Sequence, residues 1–185
     1  GKPKGVLCSH EAALVYALGK AQEEKVKRGS RVLLASHFTF DVCQGDTFGP
    51  LSLGATLFAG PRAEVLANLY GLLAQGQIDQ VTMTPTQWSL MGSQLPPPTL
   101  GGLTLNGEFM KQDTAEALAD RLHLRNMYGV TEATGLQTVH IMAPQDPPRT
   151  AGRALPACVL AMLCDTSDAS GSVSNNSNNS NNNTN

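Results

Sequence analysis

Short apolar segments alternate with helical patterns along most of this chain, and this alternation limits the fold more than any other feature. Residues 32–35 and 55–59 are typical of strands, because each is a short apolar run bounded by polar residues, glycine or proline. Leu66, Leu69 and Leu73 repeat at the spacing of one helical face. Strands that alternate with helices predict an α/β fold, with a mostly parallel sheet flanked by helices.

The remaining elements follow the same alternation. We expect a helix capped by Ser9, a helix through Phe48 and Leu51, and a helix whose face includes Ala115, Leu118 and Leu122. Further strands are expected at residues 80–83, 103–105, 124–126, 137–142 and 159–163. Ligands of such sheets bind at the carboxyl ends of strands, so the turns after residues 40, 83, 106 and 126 are expected to converge on one site.

The composition excludes several classes of protein. The 185 residues are 41% hydrophobic and carry a formal net charge of −2, which gives no reason to expect nucleic acid or an anionic membrane as a partner. No apolar run reaches the roughly 18–20 residues that span a bilayer. The four cysteines and four histidines show no metal-ligand spacing. We expect reduced thiols and a cytoplasmic protein.

Two regions separate by composition. Residues 1–165 have the pattern of a globular domain, whereas residues 166–185 are dominated by Asn and Ser. Almost no apolar side chain is available in the second region, so burial cannot offset the entropy of ordering it. We expect a disordered C-terminal tail.

Two short motifs have residues suited to nucleotide chemistry. Lys4 lies between Pro3 and Gly5, which suits a turn that contacts phosphate, although an ordinary basic N-terminal segment would look the same. Tyr128 offers a face for a base, Thr131 a hydroxyl for phosphate and Glu132 a hard oxygen ligand for Mg²⁺. A tight turn with a capping Thr and a solvated Glu is the alternative.

Asp41 follows the aromatic, β-prone stretch Phe38-Thr39-Phe40. A carboxylate at the end of an apolar strand can pair with the ammonium group of a ligand, because a buried charge needs a partner. The alternative is that Asp41 caps a helix that begins near Val42.

Taken together, these segments resemble the adenylation domains of nonribosomal peptide synthetases, in the adenylate-forming superfamily. Residues 1–6 with Ser9 and His10 are similar to the end of the phosphate loop and the helix after it. Residues 40–55 are similar to the substrate-binding segment, most of all in fungal members. Residues 126–132 resemble the Asn-x-Tyr-Gly-Pro-Thr-Glu motif, with Val130 in place of Pro, and residues 152–156 resemble a Gly-Arg-Pro-Leu-Pro stretch.

The resemblance implies an ATP-dependent ligase that joins an amino acid to AMP, with Mg²⁺, and passes the acyl group to phosphopantetheine on a separate peptidyl carrier domain. It implies catalytic roles for Lys4, Thr131 and Glu132, with Glu132 as the metal ligand. The nucleotide-binding residues that it implies are Gly107, Asn126, Tyr128, Gly129 and Thr131. Within that set Asn126 would hydrogen-bond adenine and Tyr128 would stack on it.

For the substrate, the resemblance implies that Asp41 holds the α-amino group. The other residues that it implies for the substrate pocket are Val42, Gly45, Thr82, Thr104, Asn106, Met127, Gly135 and Leu136. Gly45 and Gly135 would leave room for a long side chain, and Thr82, Thr104 and Asn106 would offer hydrogen bonds. A polar or medium-to-large amino acid is therefore expected.

The chain also departs from the family. The start of the phosphate loop, the ribose-binding Asp, the hinge and the C-terminal domain with the catalytic lysine have no counterpart in these 185 residues. We expect a fragment of the large N-terminal domain of an amino-acid-activating ligase, inactive alone. Two alternatives remain: a non-catalytic remnant that binds nucleotide or protein, and a fragment of an acyl-CoA ligase or another carboxylic-acid-activating member.

Overall fold

A computed structural model describes residues 2, 4–161 and 163, and these form one mixed sheet of seven strands flanked by helices. The strands are β1 (Arg31–Leu33), β2 (Thr56–Phe58), β3 (Gln80–Met83), β4 (Gly102–Asn106), β5 (His123–Tyr128), β6 (Thr138–Ile141) and β7 (Arg153–Ala154). The helices are α1 (His10–Glu23), α2 (Val42–Ser52), α3 (Arg62–Ala67), α4 (Leu69–Gln75), α5 (Pro85–Ser89) and α6 (Gln112–Leu118), and a 3-10 turn spans Thr131–Ala133.

The sheet is parallel over most of its width. Its strand order is β2-β1-β3-β4-β5-β6-β7, and the pairs from β2 to β5 are all parallel. β6 and β7 extend the sheet in the antiparallel direction. The predicted α/β fold with a mostly parallel sheet is therefore confirmed.

The core consists of one large and two smaller clusters of apolar side chains. The large cluster is centred on β3 and β4, where Leu103 and Leu105 are completely buried beside Leu73 and Ile78. A smaller cluster joins α1 to β5 and β6 through Tyr16, with the residues Met127, Leu136, Val139 and Leu155. The predicted cap of α1 is confirmed, since the Ser9 hydroxyl accepts a hydrogen bond from the Ala12 N–H at 3.1 Å.

The single helix that was predicted through residues 66–73 is wrong in one respect. The chain forms two helices, α3 and α4, that are separated at Asn68. The Asn68 side chain accepts a hydrogen bond from the Gly71 N–H at 3.2 Å and so caps α4, and its backbone lies outside the helical region with φ −142°. An Asn that caps a helix stops the preceding one, while Val65, Leu69 and Leu73 still share one buried face.

The strand predicted at residues 159–163 is also wrong. Val159 and Leu163 are 93% and 94% exposed, and no strand includes residues 159–161 or 163. The short strand β7 pairs with β6 instead, and Ala157 with φ 63° turns the chain away after it. The predicted disordered tail at residues 166–185 lies outside the described residues.

Candidate functional site

A cavity of about 640 Å³ opens beside the carboxyl ends of β1, β3, β4 and β5, a volume typical of small-molecule sites. It is lined by the segments that follow these four strands, as the sequence predicted. The lining residues from the predicted site are Asp41, Val42, Asn106, Gly107, Gly129, Thr131, Gly135 and Leu136. The structure therefore brings together half of the sixteen residues that the resemblance implied, from both the nucleotide set and the substrate set.

Asp41 stands at the N-cap position of α2, but its side chain makes no capping hydrogen bond. The carboxylate is half buried, and its Oδ2 atom is buried without a hydrogen-bond partner among the described residues. An unpaired buried carboxylate is costly, and a cationic ligand would offset that cost. Of the two interpretations of Asp41, the ligand contact agrees better with this geometry than the cap.

The end of β4 contributes an amide and a carboxylate to the cavity. Asn106 is nearly completely buried, and its Nδ2 atom has no hydrogen-bond partner among the described residues. Gly107 follows with φ +78°, a backbone conformation that residues other than glycine rarely adopt. The Glu108 carboxylate accepts hydrogen bonds from the backbone N–H and the hydroxyl of Thr86, at 3.0 and 2.5 Å.

Helix α5 forms a wall of the cavity that sequence reasoning missed. It begins with a capping box, in which the Thr84 hydroxyl accepts from the Gln87 N–H and the Gln87 side chain accepts from the Thr84 N–H. Gln87 also donates to the Ala35 carbonyl at 3.4 Å. The sequence Thr84-Pro85-Thr86-Gln87 carries the signal, because Thr with Gln three positions later and Pro at the first helical position is typical of a helix start.

The Thr131 turn is held by a side chain outside the predicted site. Gln137 accepts from the Val130 N–H at 2.8 Å and donates to the carbonyls of Ala133 and Gly135 at 3.0 and 2.8 Å. These bonds fix the turn that places Thr131 at the cavity. Tyr128 is 57% exposed and Glu132 is exposed, so both side chains are accessible to a ligand, although neither lines the cavity.

The N-terminal segment lies against this turn. The Cys8 thiol is 4.0 Å from the Thr131 carbonyl oxygen, although the two residues are 123 positions apart. Lys4 is exposed and does not line the cavity. The fold therefore brings the two sequence motifs into proximity.

Thr82 and Thr104 are not cavity residues, which corrects the prediction. Both are buried, and both hydroxyls contact Glu24 Oε1, at 2.7 and 2.9 Å. They are register partners on β3 and β4, so they project side by side toward the same carboxylate near the end of α1. Their hydrogen-bonding capacity is used within the protein.

The space beside Gly45 and Gly135 is also occupied, contrary to the prediction. A Cβ atom on Gly45 would lie 2.7 Å from the Tyr16 hydroxyl oxygen, and one on Gly135 would lie 2.5 Å from the Tyr16 ring. Met127, which was expected in the pocket wall, is buried in the same apolar cluster as Tyr16. The two glycines accommodate this tyrosine from α1 and leave no open channel for a long substrate side chain.

Asn126 does not reach the cavity. Its amide donates to the carbonyls of Thr150 and Pro148, at 2.9 and 3.4 Å, and holds the segment before β7. The predicted hydrogen bond from Asn126 to adenine would compete with these contacts.

A buried ionic network lies between α1, α2 and the sheet. Lys20 Nζ is 2.6 Å from both Glu24 Oε1 and Asp46 Oδ1, and all three side chains are buried. Arg125 joins the network through Thr104 and the carbonyls of Glu23 and Glu24. Sequence reasoning missed it, because the charges come from separate helices and a strand.

The network shifts the pKa values of its members. Burial alone would lower the pKa of Lys20, but the carboxylates of Asp46 and Glu24 outweigh burial and raise it. Burial opposes ionisation of Glu24 as well, yet the charges of Lys20 and Arg125 lower its pKa. The pKa of Asp46 is raised by burial and by the Glu24 charge. Lys20 is thus held as an ammonium ion between two carboxyl groups.

Within the described ranges, no group of three or more His, Cys, Asp or Glu side chains is placed to hold a metal ion. The helices of this part of the chain include none that is long and apolar enough to cross a lipid bilayer. Cys8, Cys43 and Cys158 are free thiols.

Comparison with known proteins agrees with this fold. The family model for AMP-binding enzymes matches residues 1–173. The chain is 36% identical over 141 residues to the nonribosomal peptide synthetase sidE of Aspergillus fumigatus, which covers 75% of this chain and 7% of that protein. It is 30% identical over 158 residues to the nonribosomal peptide synthetase atnA of Emericella nidulans, which covers 85% of this chain and 2% of that protein. The chain spans a small part of these curated fungal relatives.

Solved structures show the same architecture. The Vibrio cholerae adenylation domain AlmE, in complex with glycyl-adenosine-5′-phosphate, matches with a TM-score of 0.71 and 25% identity over 83% of this chain and 30% of that chain. The nonribosomal peptide synthetase FmoA3 in its AMPPNP-bound form matches with a TM-score of 0.75 and 23% identity over 84% of this chain and 18% of that chain, a likeness of fold alone. The chain belongs to the family of AMP-binding enzymes, and its similarity is to part of the adenylation domains of fungal nonribosomal peptide synthetases.

Proposed function

We propose that the cavity binds ATP and an α-amino acid, within an adenylation domain that forms an aminoacyl-adenylate and releases pyrophosphate. One observation carries this proposal. Asp41, Gly107 and Thr131 come from three separate segments and line the same cavity. The resemblance implies that they contact, in that order, the amino group of the substrate, the nucleotide and the α-phosphate.

The nucleotide would lie between the end of β4 and the Thr131 turn. Gly107, with φ +78° and only Thr84 near its Cβ position, lets the backbone approach the nucleotide, and a Cβ on Gly129 would clash with the Gly135 carbonyl oxygen. Thr131 would donate its hydroxyl to the α-phosphate, and the accessible ring of Tyr128 would stack on adenine. Lys4, on the segment that contacts this turn through Cys8, would reach the departing phosphates.

The residues present fit Mg²⁺ bound together with the nucleotide. Mg²⁺ is usually held by one or two carboxylates plus substrate phosphates and water, so a dedicated cage of protein ligands is not required. Glu132 is exposed beside Thr131 and would supply such a carboxylate. When bound, the ion would neutralise negative charge that develops on the phosphate oxygens.

The amino acid would bind with its ammonium group against Asp41. This contact favours an α-amino acid over a fatty acid, because a fatty acid would leave the buried Oδ2 atom unpaired. A carboxylate oxygen of the substrate would then attack the α-phosphorus, and the bond to pyrophosphate would break. The acyl group would pass to the phosphopantetheine thiol of a carrier domain, with release of AMP.

Isothermal titration of Mg-ATP into residues 1–185 tests the nucleotide site. We expect saturable binding, and we expect Glu132→Gln to weaken it more in the presence of Mg²⁺ than in its absence. Glu116→Gln is the matched control, since Glu116 is exposed on α6 outside the cavity. No binding at millimolar nucleotide by a folded chain would contradict the proposal.

A further inference from the structure

We propose that Tyr16 sets the depth and polarity of the substrate side-chain subsite, so that the cavity selects an amino acid with a short side chain ending in a hydrogen-bonding group. This inference rests on the proposed function, because it concerns the same cavity. Tyr16 is on α1, outside the residues that the resemblance implied for the pocket.

The first support is steric. Tyr16 is only 6% exposed and is not itself a lining residue, but its ring packs against Gly135, which lines the cavity. Gly45 of α2 also packs against this ring, since a Cβ there would lie 2.7 Å from the hydroxyl oxygen. The tyrosine therefore fills the volume that the two glycines open, and a substrate side chain that enters toward Gly135 ends at its ring.

The surroundings of Tyr16 hold it in this place. Its cluster includes Met127 of β5 and Leu136, which also lines the cavity, and Val42 packs against the cluster from the start of α2. Close-packed interiors do not readily repack around a large ring, so the back of the subsite is stiff.

The second support is polar. The Tyr16 hydroxyl and the Asn106 amide nitrogen are both buried without hydrogen-bond partners among the described residues. The hydroxyls of Thr82 and Thr104, by contrast, are already bonded to Glu24. Buried polar groups that lack partners are costly, and a ligand that supplies the missing hydrogen bond relieves that cost.

The charge state of Tyr16 agrees with this role. Burial raises its pKa well above the ordinary value of 10.0, and the nearby carboxylates of Asp46, Glu24 and Asp41 raise it further. The phenol is therefore neutral at physiological pH and keeps its proton for donation to a substrate hydroxyl or carbonyl.

Binding of non-hydrolysable aminoacyl-sulfamoyl-adenosines tests the assignment. The seryl and leucyl probes are titrated calorimetrically into residues 1–185 and into Tyr16→Ala and Tyr16→Phe. We expect the wild-type chain to prefer the seryl probe. In Tyr16→Ala the ratio of affinities should shift toward the leucyl probe on the order of tenfold to a hundredfold, which is the range for added methylenes in an apolar pocket.

Tyr16→Phe separates the hydroxyl from the ring and guards against misfolding of the alanine variant. We expect this variant to lower the affinity for the seryl probe about twofold to tenfold, the range for one neutral hydrogen bond. The affinity for the leucyl probe should be unchanged. Tyr70→Ala is the matched control, since Tyr70 is 40% exposed on α4 and belongs neither to the cavity lining nor to the Tyr16 cluster. It should leave both affinities unchanged.

The outcomes distinguish the two proposals. If the wild-type chain binds the probes and the ratio of affinities is the same in both Tyr16 variants, the role of Tyr16 is overturned and the proposed function stands. If neither probe nor Mg-ATP binds to the folded wild-type chain, the proposed function fails and the role of Tyr16 fails with it.

Discussion

Two neighbouring regions, the ionic network and the cavity, contain the same kinds of buried polar groups and differ in whether those groups have partners. In the ionic network, Lys20 contacts Glu24 and Asp46 at 2.6 Å. At the cavity, Asp41 and Asn106 each retain a buried polar atom with no partner among the described residues.

The difference teaches how to separate structural polar groups from ligand-binding ones. In the network the charges neutralise one another: even Asp46 Oδ1, which has no hydrogen-bond partner among the described residues, lies 2.6 Å from Lys20 Nζ. The unpaired groups of Asp41 and Asn106 instead belong to residues that line a cavity, where a ligand could supply the partner. Ser36 lies at the boundary, because it lines the cavity and its hydroxyl donates to Asp46 at 2.6 Å. Ser36 thus links the network to the cavity wall.

Removal of the network's central charge should have the largest effect on stability. Lys20→Met leaves Glu24 and Asp46 buried without their cation, and breaking a buried ion pair in this way costs about 3–5 kcal/mol. Urea denaturation of residues 1–185 would measure the loss. Lys27→Met is the control, since Lys27 is exposed and should change the free energy of unfolding by less than about 0.5 kcal/mol.

Loss of one hydroxyl from the network should have an intermediate effect. Thr104→Val keeps the shape of the side chain and removes a donor to Glu24, at a cost of about 1–3 kcal/mol for the buried group left unsatisfied. If the Thr104 hydroxyl serves only the ionic network, the Thr104→Val variant keeps the wild-type affinity for the adenylate probes. A stable Thr104→Val variant with a changed substrate preference would place Thr104 in the pocket after all.

The stabilisation from Lys20 should depend on pH in a defined direction. Its pKa in the folded chain is raised above the ordinary 10.5, so its contribution is complete below pH 10.5 and declines as the pH rises through the folded value. The difference in unfolding free energy between wild type and Lys20→Met should be constant from pH 8 to 10 and shrink above that. A difference that grows above pH 10.5 would contradict the assigned pairing.

The smallest change in stability is expected at the cavity. Asp41→Asn removes a buried charge that has no partner within the described structure, so the ligand-free chain should keep its unfolding free energy within about 1 kcal/mol or gain stability. Chemical denaturation without nucleotide measures this change. A loss above about 2 kcal/mol would show that Asp41 has a structural partner.

Local patterns predicted the fold well, because they act over a few residues. The apolar run of β1 and the Ser9 cap of α1 both appear where the sequence placed them. The break at Asn68 was missed, since the same helical periodicity continues across it. The strand expected near residue 160 failed because its side chains find nothing to pack against.

The site was less predictable, because its details depend on contacts between distant segments. Asp41, Asn106 and Thr131, which the resemblance assigned to one site, line the same cavity. The resemblance could not show that the Glu24 carboxylate, at the end of α1, accepts hydrogen bonds from the hydroxyls of Thr82 and Thr104. Glu24 and Thr82 are 58 positions apart in sequence. Nor could it show that Tyr16 fills the space beside two glycines that are 90 positions apart in sequence.

The measurement that tests the account most directly compares two adenylate probes that differ only in the α-amino group. The wild-type chain should bind the aminoacyl-sulfamoyl-adenosine at least about tenfold more tightly than its des-amino counterpart, because only the former pairs with Asp41, and Asp41→Asn should abolish that preference. Equal affinity of the folded wild-type chain for both probes would contradict the assignment of the unpaired carboxylate to an amino-acid substrate.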